Sequence, residues 1–157
     1  RLERAEELEL YRGLQSREDH PFDVTAQTLA NSANYHPDAV GWHDLSGRAA
    51  HIICGPFFFL PPGSWKVDLA LDIDCDGGHL RLFFEWGAPS DHRNNFESVI
   101  KESGSYAITL ETEFKRPDAA QCLIATNASH LQGRLRLNHC LITRLDKPAG
   151  VAIPHWG

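Results

Sequence analysis

Cys54–Cys75, CGPFFFLPPGSWKVDLALDIDC, is the stretch on which the fold turns. Phe57, Phe58, Phe59 and Leu60 make the densest apolar run in the chain, and Pro61-Pro62-Gly63 ends it. Proline has no N–H to give a sheet ladder, and glycine accepts the positive φ that a reversal often needs. Beyond the break the chain alternates. Trp65, Val67, Leu69, Leu71, Ile73 and Cys75 fall on one side, and Lys66, Asp68, Ala70, Asp72, Asp74 and Asp76 on the other. A period of two with one apolar and one mostly acidic face is a half-buried antiparallel strand. The stretch therefore predicts a hairpin: a strand, a tight turn and a second, longer strand.

Upstream, residues 1–16 are rich in Glu, Arg, Leu and Ala, and their apolar positions fall near one face, which predicts a short helix. It reads either as a linker or as the end of a coiled coil that would join chains into a homo-oligomer. Residues 22–30 could form a first strand, and a long polar connection then runs from Asn31 to Arg48. Downstream, alternation predicts strands over Leu80–Trp86, Phe96–Lys101, Ser105–Phe114, Gln121–Asn127 and Gly133–Leu145, with a second polar loop over Gly87–Asn95. In the last strand His139 shares the parity of Leu137 and Leu141, so it is expected to face inward. About seven or eight strands with turns between them and no internal helix predict an all-β antiparallel sandwich. The expected division is a helix or linker over 1–20, a sandwich over 21–147 and an irregular tail over 148–157.

The chain has 157 residues, enough for one domain, and its 42% hydrophobic share supplies a core. A net charge of −6 and a pI near 5.8 disfavour nucleic-acid binding through a basic face. No apolar run is long enough to span a membrane, and no secretory signal pattern shows. With no Met, the chain is expected to belong to a longer protein. Cys54, Cys75, Cys122 and Cys140 form no C-x-x-C pair, so zinc spacing is absent. Two disulfides are the alternative to buried free thiols. The second reading places the chain in a reducing compartment, the cytoplasm, with membrane association only through the parent protein.

The pattern G-P-aromatic-x-x-L-P-x-G-x-aromatic-x-V-x-L-x-L, from Gly55 to Leu71, resembles the GPY…LPAGxYxVxF segment of jelly-roll, galactose-binding-like domains. Such domains accompany bacterial glycosyltransferases and other polysaccharide-assembly proteins. Phe57 and Trp65 stand where tyrosine is usual, and GRLRLNHCLITRL, residues 133–145, is similar to the last strand of these domains. The resemblance implies a jelly roll over residues 22–145. It also implies a carbohydrate-binding or assembly role beside a catalytic domain of the parent chain. It carries no ligand residue over to this sequence.

A sugar offers apolar C–H faces and a rim of hydroxyls, so a protein meets it with an aromatic plate and short polar side chains. Two predicted loops fit. One holds Tyr35, Trp42, His43 and Asp44; the other holds Asp91, His92, Arg93, Asn94 and Asn95. Asn127 joins them if the loops share one end of the sandwich. Trp86 has the parity of Leu82 and Phe84 and reads as a core residue. A sheet face with Arg81, Phe83 and Glu85 is a second candidate surface.

Asp72, Asp74 and Asp76 begin a D-x-D-x-D-G run of the kind that binds calcium, but Phe83 stands at the twelfth position, where an EF-hand needs Glu. The alternative is the polar face of a strand running into a turn. No cofactor is expected otherwise, and the nine histidines form no metal triad. Catalytic motifs are absent. A sugar-active enzyme would have to use Glu85 or Asp91. The sequence thus points first to a non-catalytic carbohydrate-binding module of a larger bacterial polysaccharide-synthesis or modification protein. The alternatives are a structural or oligomerisation domain packed on a catalytic neighbour, and a small sugar-active enzyme.

Overall fold

The computed structural model describes residues 21–29, 37–90 and 93–145. Within them lie nine strands: β1 (Phe22–Asp23), β2 (Trp42–Asp44), β3 (Ala50–Leu60), β4 (Gly63–Asp74), β5 (Leu80–Gly87), β6 (Arg93–Ile100), β7 (Gly104–Phe114), β8 (Asp118–Thr126) and β9 (Arg134–Leu145). One short helix, α1, covers Thr25–Leu29. The strands form two antiparallel sheets. In the first, β1 and β2 both pair with β9, followed by β4 and then β7; the second runs β3-β8-β5-β6. The chain is an all-β sandwich. The helix expected over residues 1–16 and the tail from Asp146 onward lie outside the described residues.

The central stretch is two strands as expected, but it is not a hairpin. β3 pairs with β8, while β4 lies between β7 and β9 in the other sheet. Pro61 and Pro62 therefore carry the chain across from one sheet to the other. A segment without N–H donors suits a crossing that has no ladder partner. Trp65, just past the crossing, is fully buried, and its indole N–H donates to the Pro61 carbonyl at 2.9 Å. The three phenylalanines also separate. Phe58 is buried, Phe57 is half-buried with φ of 64°, and Phe59 is 55% exposed, because β3 is bulged between Pro56 and Phe59.

Alternation holds in β4, whose odd-numbered residues are buried from Gly63 to Ile73. These side chains meet Leu80, Leu82, Phe84 and Trp86 of β5 and Ile124 of β8 in one core. Trp86 is a core residue, as expected: it is fully buried and its indole N–H donates to the Trp65 carbonyl at 3.1 Å. Full burial of such aromatic side chains contributes roughly 2–3 kcal/mol each.

Residues 22–30 are not one strand. Only Phe22–Asp23 pair with β9; the chain then coils into α1. The cause is local. The Asp23 carboxylate accepts the Thr25 N–H at 2.9 Å and the Thr25 hydroxyl, and the Thr28 hydroxyl donates to the Thr25 carbonyl at 2.8 Å. Short polar side chains that satisfy the backbone in this way favour a helical start over a ladder. α1 packs against β3 and β9.

His139 faces outward, against expectation. β4 meets β9 with a register shift: Ala70 pairs with His139 but Leu71 pairs with Leu137, leaving Asn138 as the extra residue. One inserted residue inverts the parity beyond it. Leu135 and Leu137 are buried before the bulge, and Cys140 and Ile142 after it. His139 lies in solvent, with its Nδ1 3.6 Å from Asp23.

Candidate functional site

The sequence-predicted residues divide between two ends of the sandwich. At one end, β2 pairs through Trp42, His43 and Asp44 with Arg136, Leu135 and Arg134 at the start of β9. The same end carries the β4–β5 connection, residues 75–79, and the β8–β9 connection, residues 127–133. Arg93, Asn94 and Asn95 lie instead on β6, an edge strand of the other sheet, where Arg93 pairs with Gly87 at the far end of β5. The loop expected over Gly87–Asn95 is shorter because both its flanks join strands. The two predicted clusters therefore do not converge. Tyr35, Asp91 and His92 lie outside the described residues.

Trp42 was expected in a polar loop but sits on β2, half-buried. Its side chain shares the outer face of the sheet with Arg134 and Arg136, whose guanidinium centres lie 4.6 and 4.8 Å from its ring centroid. Each arginine is held by a carboxylate on β4. Arg136 donates to Asp72 at 2.6 Å and Arg134 to Asp74 at 2.9 Å. The ring is thus fixed by two cations that are themselves fixed. Cation–π contacts of this kind contribute about 0.5–1 kcal/mol at exposed sites. His43 alternates inward and is fully buried, which removes it from any ligand surface. Asp44 is exposed and accepts the Ser46 N–H at 2.9 Å.

Beside Trp42 opens a shallow cleft of about 430 Å³. Asp38, Asp44 and Asp76 bring carboxylates to it, and Gln132 and Arg134 bring donors. Asp38 accepts the Val40 and Trp42 N–H groups at 2.9 and 3.0 Å, and these bonds hold its carboxyl below the usual range. The Ser46 N–H does the same for Asp44. Both carboxylates are therefore ionised acceptors at neutral pH. The far wall is the 127–133 connection, and several bonds pin it. Leu45 N–H donates to the Gly133 carbonyl at 2.8 Å, Gly47 and His130 exchange backbone bonds at 2.8 and 2.9 Å, and Gln132 donates to the Asp76 carbonyl. Gly133, at φ of 130°, lies so close to β5 that a Cβ there would stand 2.5 Å from a Leu80 methyl. Asn127 is exposed at the start of this connection and donates to Glu97 at 2.8 Å, away from the Trp42 cleft.

No family model and no curated protein matches this sequence. Among solved structures, the chain is similar to one called "BiXyn10A CBM1 APO" at 13% identity and a TM-score of 0.46. The match covers 82% of this chain and 99% of that one.

Of the three calcium candidates, Asp72 and Asp74 are engaged in other contacts. Asp72 accepts from Arg136 and from the Ser105 hydroxyl at 2.7 Å, and the Arg136 guanidinium holds its carboxyl down to about 2. Asp74 accepts from Arg134 and from the Asp76 N–H at 2.9 Å. Among the described residues no group of three or more His, Cys, Asp or Glu side chains is arranged to hold a metal. Glu85 is buried on the outer face of the second sheet and pairs with Arg93 at 2.9 Å. No helix among the described residues is long and apolar enough to cross a membrane.

Sequence reasoning missed Asp38, Gln132 and Arg134 as lining residues. Arg134 was visible as an outward position of β9, but nothing local placed β9 beside β2. That neighbourhood depends on pairing between segments about 90 residues apart, which no local pattern encodes.

Proposed function

We propose that this chain is a non-catalytic carbohydrate-binding module, and that its ligand is a neutral glycan held in the Trp42 cleft. The observation that carries the reading is the combination of an orientation-locked, half-buried indole with acceptors and donors around one cleft. A pyranose C–H face would lie on the indole, and its hydroxyls would donate to Asp38 and Asp44 and accept from Gln132 and Arg134. Arg134 is already balanced by Asp74, so the mouth keeps an acidic character and disfavours uronates and sulfated sugars. The same proposal includes the context implied by the sequence resemblance: a module beside a catalytic domain in a larger bacterial polysaccharide-synthesis or modification protein. Calcium would have to displace the arginines from Asp72 and Asp74 and has no part in this mechanism.

The test is binding to a panel of neutral cello-, manno-, xylo- and galacto-oligosaccharides, followed by calorimetry with wild type and Trp42→Ala. Loss of the aromatic plate is expected to weaken binding by at least about tenfold, the equivalent of ~1.4 kcal/mol. Equal affinity for both proteins, or no binding to any panel member, would refute the reading.

A further inference from the structure

The Trp42 cleft is not isolated. A second cleft of about 340 Å³ also draws on the 127–133 connection and is lined by His79, Arg81, Ser129 and His130 among others. Both clefts share their two walls. Asp76 and His79 come from the β4–β5 connection, and the 127–134 stretch supplies residues to each. Leu131, 98% exposed, lines the Trp42 cleft and directly follows Ser129 and His130, which line the second. A single exposed leucine needs no explanation on its own. This one stands on a crest whose flanks are fixed. The backbone bonds to Leu45 and Gly47 hold the crest from one side, and on the other the Arg81 N–H donates to His130 Nε2 at 3.0 Å. That bond places the His130 proton on Nδ1.

Resting on the carbohydrate reading above, we infer that the site is an extended one, in which an oligosaccharide crosses the Leu131 crest and occupies both clefts. One sugar stacks at Trp42. The next packs its C–H face over the Leu131 side chain. A third meets Arg81, His79 and Ser129, whose donors and hydroxyl suit a ring of sugar oxygens. The two clefts differ in chemistry. The first offers mainly carboxylate acceptors, and the second mainly nitrogen donors, so they bind different edges of the chain and fix its direction. Because the crest is pinned, crossing it requires little ordering of the protein.

Affinity should therefore rise with chain length. Calorimetry with mono-, di-, tetra- and hexasaccharides of the best-bound panel series reads this directly. For wild type, the step from di- to tetrasaccharide is expected to gain at least about tenfold. Arg81→Ser and Ser129→Ala, which line only the second cleft, should remove most of that gain and leave mono- and disaccharide binding unchanged. Both side chains are exposed, and unchanged thermal unfolding would confirm that the variants fold. If the monosaccharide binds as tightly as the hexasaccharide, or both variants keep the full gain, the extended site is wrong. In that case loss of all binding in Trp42→Ala still supports the single-cleft reading. If no oligosaccharide binds wild type, both readings fall.

Discussion

At the scale of single residues, Gly133 holds the greatest consequence per atom. Its φ of 130° lies in the region that side chains rarely adopt, and a Cβ would press on Leu80 at 2.5 Å. Leu80 is itself buried in the core. Gly133→Ala therefore combines backbone strain with overpacking, and a loss of about 2–4 kcal/mol is expected in urea unfolding. A loss below ~0.5 kcal/mol would mean that the β8–β9 connection gives way easily and is not a firm wall of the Trp42 cleft. Trp42 illustrates the opposite case. Its neighbourhood looked polar, and the sequence reading placed it in a loop. The structure puts it on a strand edge beside two arginines contributed by a segment far along the chain. Its residue type was informative, but its surroundings were not.

At the scale of elements, the outer face of β4 and β9 is a charge ladder. Arg136 meets Asp72, Arg134 meets Asp74, and Ser105 and Thr109 of β7 donate to Asp72 and Asp68. Asp72 titrates at about 2 when folded, against 3.8 ordinarily, because Arg136 and then Ser105 hydrogen-bond to its ionised form. A depressed folded pKa gives stability that is present above pH ~4 and is lost as pH falls through about 2. Denaturant midpoints measured from pH 5 down to 1.5 should fall for wild type, and less steeply for Asp72→Asn. Identical slopes would show that Asp72 contributes nothing to acid sensitivity. The parity of β4 was fully readable, because a long strand buried on one face repeats without interruption. The parity of β9 was readable only as far as the bulge at Asn138. A bulge is a response to the partner strand and leaves no trace in alternation alone, which is why His139 was assigned to the wrong face.

At the scale of the whole molecule, the sandwich was evident from strand number and turn spacing, but sheet membership was not. A Pro-Pro-Gly break between two apolar strands suits a hairpin turn and a sheet-to-sheet crossing equally well. The choice is made by β8 and β9, which arrive later to pair with β3 and β4. The cysteines follow from the same architecture. Cys75, Cys122 and Cys140 are buried, Cys54 is half-buried, and none of the four is in a disulfide. Burial pushes the Cys54 and Cys75 thiols up, and contact with Cys122 together with burial does the same to Cys140. A thiol reagent at neutral pH should therefore label at most one cysteine slowly in the native protein and all four after unfolding. Rapid labelling of two or more in the native state would contradict this packing.

The crossing at Pro61-Pro62 also shapes how the chain must be made. β4 is flanked by β7 on one side and by β9, the last strand among the described residues, on the other. During synthesis, β4 leaves the ribosome long before its second partner exists. Until β9 emerges, β4 presents an open row of N–H and C=O groups beside a fully apolar face, the kind of edge that recruits a strand from a neighbouring chain. Of the long strands, only β5 and β6 close as neighbours in sequence. The rest of the sheet network waits for distant segments, a topology associated with slow folding. The outer face of β4 carries Asp68, Asp72 and Asp74, which are charged before Arg134 and Arg136 reach them. Charge on an unpaired strand is the kind of feature that disfavours edge-to-edge pairing between copies.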